Sequence, residues 1–239
     1  MFDAKNAIKE LLEKEQFSFD DLCTLVSVLH SPDGCPWDRE QTNKSIRNAF
    51  IDETYEFIEG LDLEDNYLMC EELGDVLFQI IFHADIKKDD GVFKIDDVID
   101  GICKKMILRH PHVFGDVNVA NSGEVLVNWE NIKNDEKQRK TPFMQLDSIS
   151  KSLPSLMRSQ KLQKKADKTS LRKMPDNSEL ISEARKLLDD IEKNGGDNDK
   201  IGKLLFACAG LSHNCDIESE EALSYENDKF LASFNNDEQ

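Results

Sequence analysis

Residues 43–88 read NKSIRNAFIDETYEFIEGLDLEDNYLMCEELGDVLFQIIFHADIKK, and this stretch decides the fold class. Ile46, Ala49, Phe50, Phe57 and Leu61 recur at three- and four-residue spacing, which predicts a helix over 43–61 with one apolar stripe. A second helix is expected over 64–88. Val76, Leu77, Phe78, Ile80, Ile81 and Phe82 make it apolar nearly all round, as in the centre of a bundle. Acids interrupt both patterns. Glu53 and Glu56 lie in or beside the first stripe, and Leu68, Glu72, Asp75 and Gln79 fall on one line of the second helix. A buried carboxylate is costly unless something compensates it, so these acids call for a physical reason.

Two consecutive helices with a short loop pack as antiparallel neighbours, so Glu53-x-x-Glu56 and Glu72-x-x-Asp75 are expected to converge. At ~5 Å and an effective dielectric near 20, each like-charged pair repels by roughly 3 kcal/mol. A divalent cation would relieve that repulsion, and four oxygen donors suit Mg²⁺, with Mn²⁺ as the alternative. Di-iron bundles use Glu-x-x-His, and neither pair carries a histidine three residues on. Magnesium in an open bundle site suits phosphate chemistry. Lys105 and Arg109, four residues apart, could hold phosphate oxygens, and Trp129 with Lys133 could stack and pair with a nucleotide. The plainer reading of those four is a core tryptophan with solvated cations. Trp37 is expected to anchor the loop around Cys35-Pro36-Trp37-Asp38.

Working outward, further helices are expected over 96–109 and from Asn121, where Asn121-x-x-Glu124 is a capping-box candidate. Alternating strand-like runs are nearly absent, and the expected class is all-α. Residues 137–152 read as a polar connector. Leu73-Gly74-Asp75-Val76-Leu77-Phe78 returns as Ile201-Gly202-Lys203-Leu204-Leu205-Phe206, and Glu53 returns as Glu183, so a helical-bundle unit is duplicated. The expected organisation is an N-terminal helical extension (1–19), a catalytic helical domain (20–145) and a diverged, inactive helical domain (146–239).

The chain has 239 residues with 48 acidic and 30 basic side chains, a net charge of −18. That balance argues against nucleic acid as a partner. No apolar run reaches the ~18–20 residues of a membrane span, and the first fifteen residues are charged throughout, so the expected location is the cytoplasm. Six scattered cysteines without metal-type spacing are expected to be free thiols, several of them in the core.

Cys35-Pro36-Trp37-Asp38-x-x-Gln41-Thr42, Asp52-Glu53-Thr54-Tyr55-Glu56, Glu71-Glu72-Leu73-Gly74-Asp75, Arg109-His110-Pro111-His112-Val113-Phe114 and Trp129-Glu130-x-x-Lys133, in this order, resemble the MazG family of nucleoside triphosphate pyrophosphohydrolases. The resemblance runs from about residue 20 to 165, including Ser152-Leu153-Pro154-Ser155-Leu156-Met157, and weakens beyond. It implies an all-α fold, a homodimer, and Mg²⁺-dependent hydrolysis of nucleoside triphosphates to monophosphate and pyrophosphate. It also implies Glu53, Glu56, Glu72 and Asp75 as metal ligands, Glu53 or Glu56 as the catalytic carboxylate, and Lys105, Arg109, Trp129 and Lys133 as substrate contacts. Two departures stand out. Asp52 replaces the first glutamate of the family's paired acids, and in the second half the other ligand positions align with Lys186, Lys200 and Lys203. Those ammonium groups are expected to neutralise Glu183 and fill the cage without a metal. The competing function is a non-catalytic nucleotide sensor or scaffold of the same fold.

Overall fold

A computed structural model describes residues 2–169 and 172–235. Among them there are thirteen helices and no strand, in agreement with the all-α expectation. The chain divides into two compact units, Met1–Val117 and Asn118–Gln239.

The first unit contains α1 (Ala4–Leu12), α2 (Phe19–His30), α3 (Pro36–Arg39), α4 (Arg47–Asp62), α5 (Asn66–Asp89), α6 (Ile95–Arg109) and α7 (Pro111–Phe114). Its main pairing is α4 against α5, with α2 on the C-terminal half of α5 and α1 on α2. Val26, Ile46, Ile81, Phe82 and Ile86 form the core, bordered by Leu22, Cys23, Leu77, Phe78 and Ile95. Fully burying such a side chain stabilises by about 1.5–3 kcal/mol, so these few residues hold α2, α5 and the start of α4 together. Gly60 sits at a close approach of α4 to α5, since a Cβ there would lie 3.0 Å from the Met69 amide nitrogen.

Capping sets the limits of these helices. Ser18 and Asp21 form a reciprocal capping box that starts α2. Asp65 starts α5 by accepting from the Tyr67 and Leu68 amides at 2.9 and 3.1 Å. α4 begins later than the expected residue 43, because Thr42 and Ser45 exchange side-chain and backbone hydrogen bonds in a turn that occupies residues 42–45. The expectation that α5 is apolar all round needs correction as well. Burial becomes continuous only near its C-terminal end, whereas Tyr67, Cys70, Leu73 and Gly74 are exposed. The helix is central at one end and open at the other.

The second unit contains α8 (Ser122–Glu136), α9 (Pro142–Asp147), α10 (Ser155–Lys168), α11 (Asn177–Asn194), α12 (Asn198–Asn214) and α13 (Ser219–Asn235). The α11–α12 pair carries the repeat of α4–α5, and α10 packs on α12 and α13. Two buried glutamines fix that packing. Gln163 donates to the Phe206 carbonyl at 2.9 Å, and Gln160 donates to the Ile217 carbonyl at 2.6 Å while accepting from Ser219. The capping box at Asn121 is shifted by one residue, since Glu124 accepts from the Ala120 amide at 2.9 Å. Part of the polar connector, moreover, is helical as α9.

All six cysteines are free, and none is buried, which corrects the expectation of core thiols. Cys70, Cys103 and Cys208 are exposed on helices, and Cys215 is exposed at the end of α12.

Candidate metal and phosphate site

Glu53 and Glu56 share one face of α4 because they are three residues apart, and Glu72 and Asp75 repeat that spacing on α5. The α4–α5 packing brings Glu53, Glu56 and Glu72 together, each offering a carboxylate oxygen within 4.8 Å of the others. Asp75 is exposed and lies outside that mutual set, although its charge still acts on Glu53 and Glu72. Glu72 is the buried member, at 7% exposure, and its Oε2 has no hydrogen-bond partner. Three of the four expected acids therefore converge, one buried, one half-buried and one exposed, with Asp75 outside the mutual set.

Glu53 is pushed above the usual carboxylate range by desolvation, then by the charges of Asp75 and Glu56, with Gln79 opposing through a side-chain hydrogen bond. Glu72 is raised by desolvation and by the charges of Glu56, Asp75 and Glu53. Gln79, one helical turn beyond Asp75, is buried and also has an unpartnered oxygen, Oε1. Its place on the acid line was visible in the sequence, but its role beside Glu53 required the fold. Orphaned buried oxygens and mutually repelling carboxylates fit an oxygen-seeking divalent cation.

Lys105 and Arg109 lie on α6 in the same unit, where α6 packs against α5. Lys105 is half-buried and Arg109 buried. His110 Nδ1 lies 2.6 Å from the Met106 carbonyl, which steadies the turn from α6 into Pro111 and His112. Trp129 and Lys133 lie on α8 in the second unit, both half-buried, with Lys133 3.9 Å from Glu130. Trp37 is 61% exposed, so it does not anchor its loop. Buried Asp38 and the 2.8 Å bond from the Cys35 amide to the Leu29 carbonyl do that instead.

A second cluster escaped the sequence reading. Asp85 accepts from Ser27 Oγ at 2.7 Å and Lys88 Nζ at 2.9 Å. His30 Nδ1 lies 3.1 Å from Asp85 and 3.4 Å from Asp89. The available signal was one acid, Asp85, in the largely apolar run 80–86, which otherwise holds one polar residue, His83. Desolvation alone would raise Asp85, yet its donors and the Lys88 charge hold it below the usual range.

In the second unit, Lys200 pairs with Asp190 at 2.8 Å and Lys203 with Asp199 at 2.6 Å. Lys200 is thus engaged by Asp190, whereas Lys203 feels the charge of Glu183 in addition to its pairing with Asp199. Among the described residues, the groups of acids and histidines close enough to share a metal ion are both in the first unit.

Residues 41–114 match the MazG nucleotide pyrophosphohydrolase domain. A nucleoside triphosphate pyrophosphohydrolase of Escherichia coli is 39% identical over 226 residues, covering 90% of this chain and 85% of that protein. The Thermotoga maritima nucleoside triphosphate pyrophosphohydrolase/pyrophosphatase MazG is 37% identical over 218 residues, covering 90% and 84% respectively. Bacillus subtilis YabN is 41% identical over 232 residues, and the chain spans 47% of its length. Similarity that covers most of this chain and most of two relatives has one reading: the chain belongs to the MazG family of nucleotide pyrophosphohydrolases.

Proposed function

We propose that this protein hydrolyses nucleoside triphosphates to monophosphate and pyrophosphate with Mg²⁺, or Mn²⁺, as cofactor. The observation that carries the reading is the convergence of Glu53, Glu56 and Glu72 around an unpartnered buried oxygen of Glu72. The names of the Escherichia coli and Thermotoga maritima relatives point the same way. Glu53, Glu56 and Glu72 would hold the cation, with Asp75 at the open edge. Once bound, a divalent cation polarises phosphoryl oxygens and lowers the proton affinity of bound water. Water oxygen joins the α-phosphorus, the bridge to the β-phosphate breaks, and pyrophosphate leaves. Glu53 or Glu56 takes the proton that the water gives up.

Lys105 and Arg109 are the cations of the first unit assigned to the phosphates, and Trp129 and Lys133 are the substrate contacts assigned on α8. The second unit's acids are without such a role, because lysines stand at three of the four repeated ligand positions. The working form is a homodimer in the cytoplasm. Exposed Val98, Ile99 and Ile102, adjacent on one side of α6, offer an apolar surface for a second copy.

The test is product analysis with mixed nucleoside triphosphates, with and without Mg²⁺, for wild type, Glu72→Gln and Glu183→Gln. Monophosphate and pyrophosphate are expected from wild type and Glu183→Gln, with about a hundredfold loss or more in Glu72→Gln. Added Mg²⁺ should raise the wild-type unfolding midpoint but leave that of Glu72→Gln nearly unchanged. Wild type without Mg²⁺-dependent hydrolysis would remove the enzyme reading in favour of the sensor or scaffold.

A further inference from the structure

The second unit contains a cleft of about 770 Å³ whose lining is cationic, although the chain as a whole carries −18. Four of its cations, Lys161, Lys164, Lys165 and Lys168, come from α10. At ~100° per residue these positions fall within roughly a 100° arc of the helix. The opposite side of α10 is taken by buried Gln160, Gln163 and Ala166, which pack toward α12 and α13. The helix therefore cannot turn its lysines away without breaking the glutamine hydrogen bonds to Phe206 and Ile217.

Lys133 and Arg139 extend the same lining, with Trp129 beside them. Among the described lining residues, the one carboxylate is Glu130, and it is engaged by Lys165 and Lys133. No ion pair among the described residues uses Lys161, Lys164, Lys168 or Arg139. Like charges held this close repel one another unless an anion lies among them. Ammonium groups are compact point charges, which suit phosphate oxygens presented at several angles. A long polyanion would also meet the acidic remainder of the chain, so the size and the charge both favour a short one.

We propose that the lysine face of α10, with Arg139, binds a chain of two or more phosphates, as an inorganic oligophosphate or as the tail of a nucleotide. The cleft shares Trp129 and Lys133 with the proposed substrate contacts, so the nucleotide source rests on the proposed function, whereas binding of an inorganic oligophosphate by the α10 lysines and Arg139 does not.

The experiment uses the full chain without divalent cations, which leaves the Glu53–Glu56–Glu72 cluster repulsive to phosphate. Calorimetry measures binding of inorganic triphosphate, and of ATP in parallel, to wild type and to a Lys164→Gln/Lys168→Gln variant. Both lysines are exposed, so the helix signal and unfolding midpoint should be unchanged. Triphosphate affinity should fall about tenfold or more in the variant, as expected for loss of charge-assisted phosphate contacts. Equal affinities for triphosphate and ATP would identify the inorganic source. Tighter ATP binding, with quenching of Trp129 fluorescence in a Trp37→Phe background, would identify the nucleotide. Unchanged triphosphate binding in a folded variant overturns the proposal, and so does a single-stranded oligonucleotide that binds more tightly through the same lysines. Loss of hydrolysis in Glu72→Gln with triphosphate binding intact would separate this site from the proposed catalytic one.

Discussion

Glu72 and Asp85 are both buried carboxylates on α5, and their surroundings drive them in opposite directions. Glu72 faces other acids and lacks a donor at Oε2, whereas Asp85 has Ser27, Lys88 and His30 around it. The first arrangement costs stability when the group is ionised, and the second supplies it. For Asp85 the folded value lies below the unfolded one near 3.9, so its contribution is present above about pH 4 and disappears as pH falls through the folded value. Asp85→Asn should therefore lose about 1–3 kcal/mol at neutral pH, measured by urea unfolding. The deficit should shrink at acid pH, and an equal deficit at every pH would contradict the ionic account. For Glu53 and Glu72 the sign reverses. Their folded values are raised, so the metal-free protein gains stability as pH falls toward and through them.

At the level of elements, the α2–α3 connection shows how little room a short loop leaves. Gly34 turns the chain so closely under the end of α2 that a Cβ would lie 2.1 Å from the Val28 carbonyl oxygen and 2.4 Å from that of Leu29. Both obstacles are backbone, so neither can rotate away. Gly34→Ala should destabilise by about 1–3 kcal/mol in thermal or urea unfolding, with the shift of Cys35 and Asp38 as the cause. The start of α4 teaches a related lesson. A polar Thr42–Ser45 segment looks like a cap in sequence, but its side chains close a turn among themselves, and the helix begins at Arg47. Cap-forming residues compete for backbone groups, and local sequence does not say which geometry wins.

At the scale of the whole molecule, the described residues contain no helix long and apolar enough to cross a membrane. Apolar exposure is instead spread over short stripes, of which Val98, Ile99 and Ile102 on α6 form one. If that stripe meets a second copy, Ile99→Glu/Ile102→Glu should convert a dimer to a monomer in sedimentation without lowering helix content. A dimer that survives both charges would move the interface elsewhere. The helical class, the two acid pairs and their hard-oxygen character were legible in sequence because they depend on spacing and residue type, which are local. So was the sequence likeness of Leu73–Phe78 to Ile201–Phe206. Which acids are equivalent was not legible, because burial depends on what packs alongside: α5 is covered near its C-terminal end and open near Asp75. Two partners of Asp85, His30 and Ser27, lie 55 and 58 residues away on α2, and Lys200 finds Asp190 across the α11–α12 turn, whereas the pairing of Lys203 with Asp199 is local to α12. Spacing along one helix determined the candidate donors, and packing between helices decided their protonation, their neighbours and their exposure, because charge acts through distance in space and not along the chain.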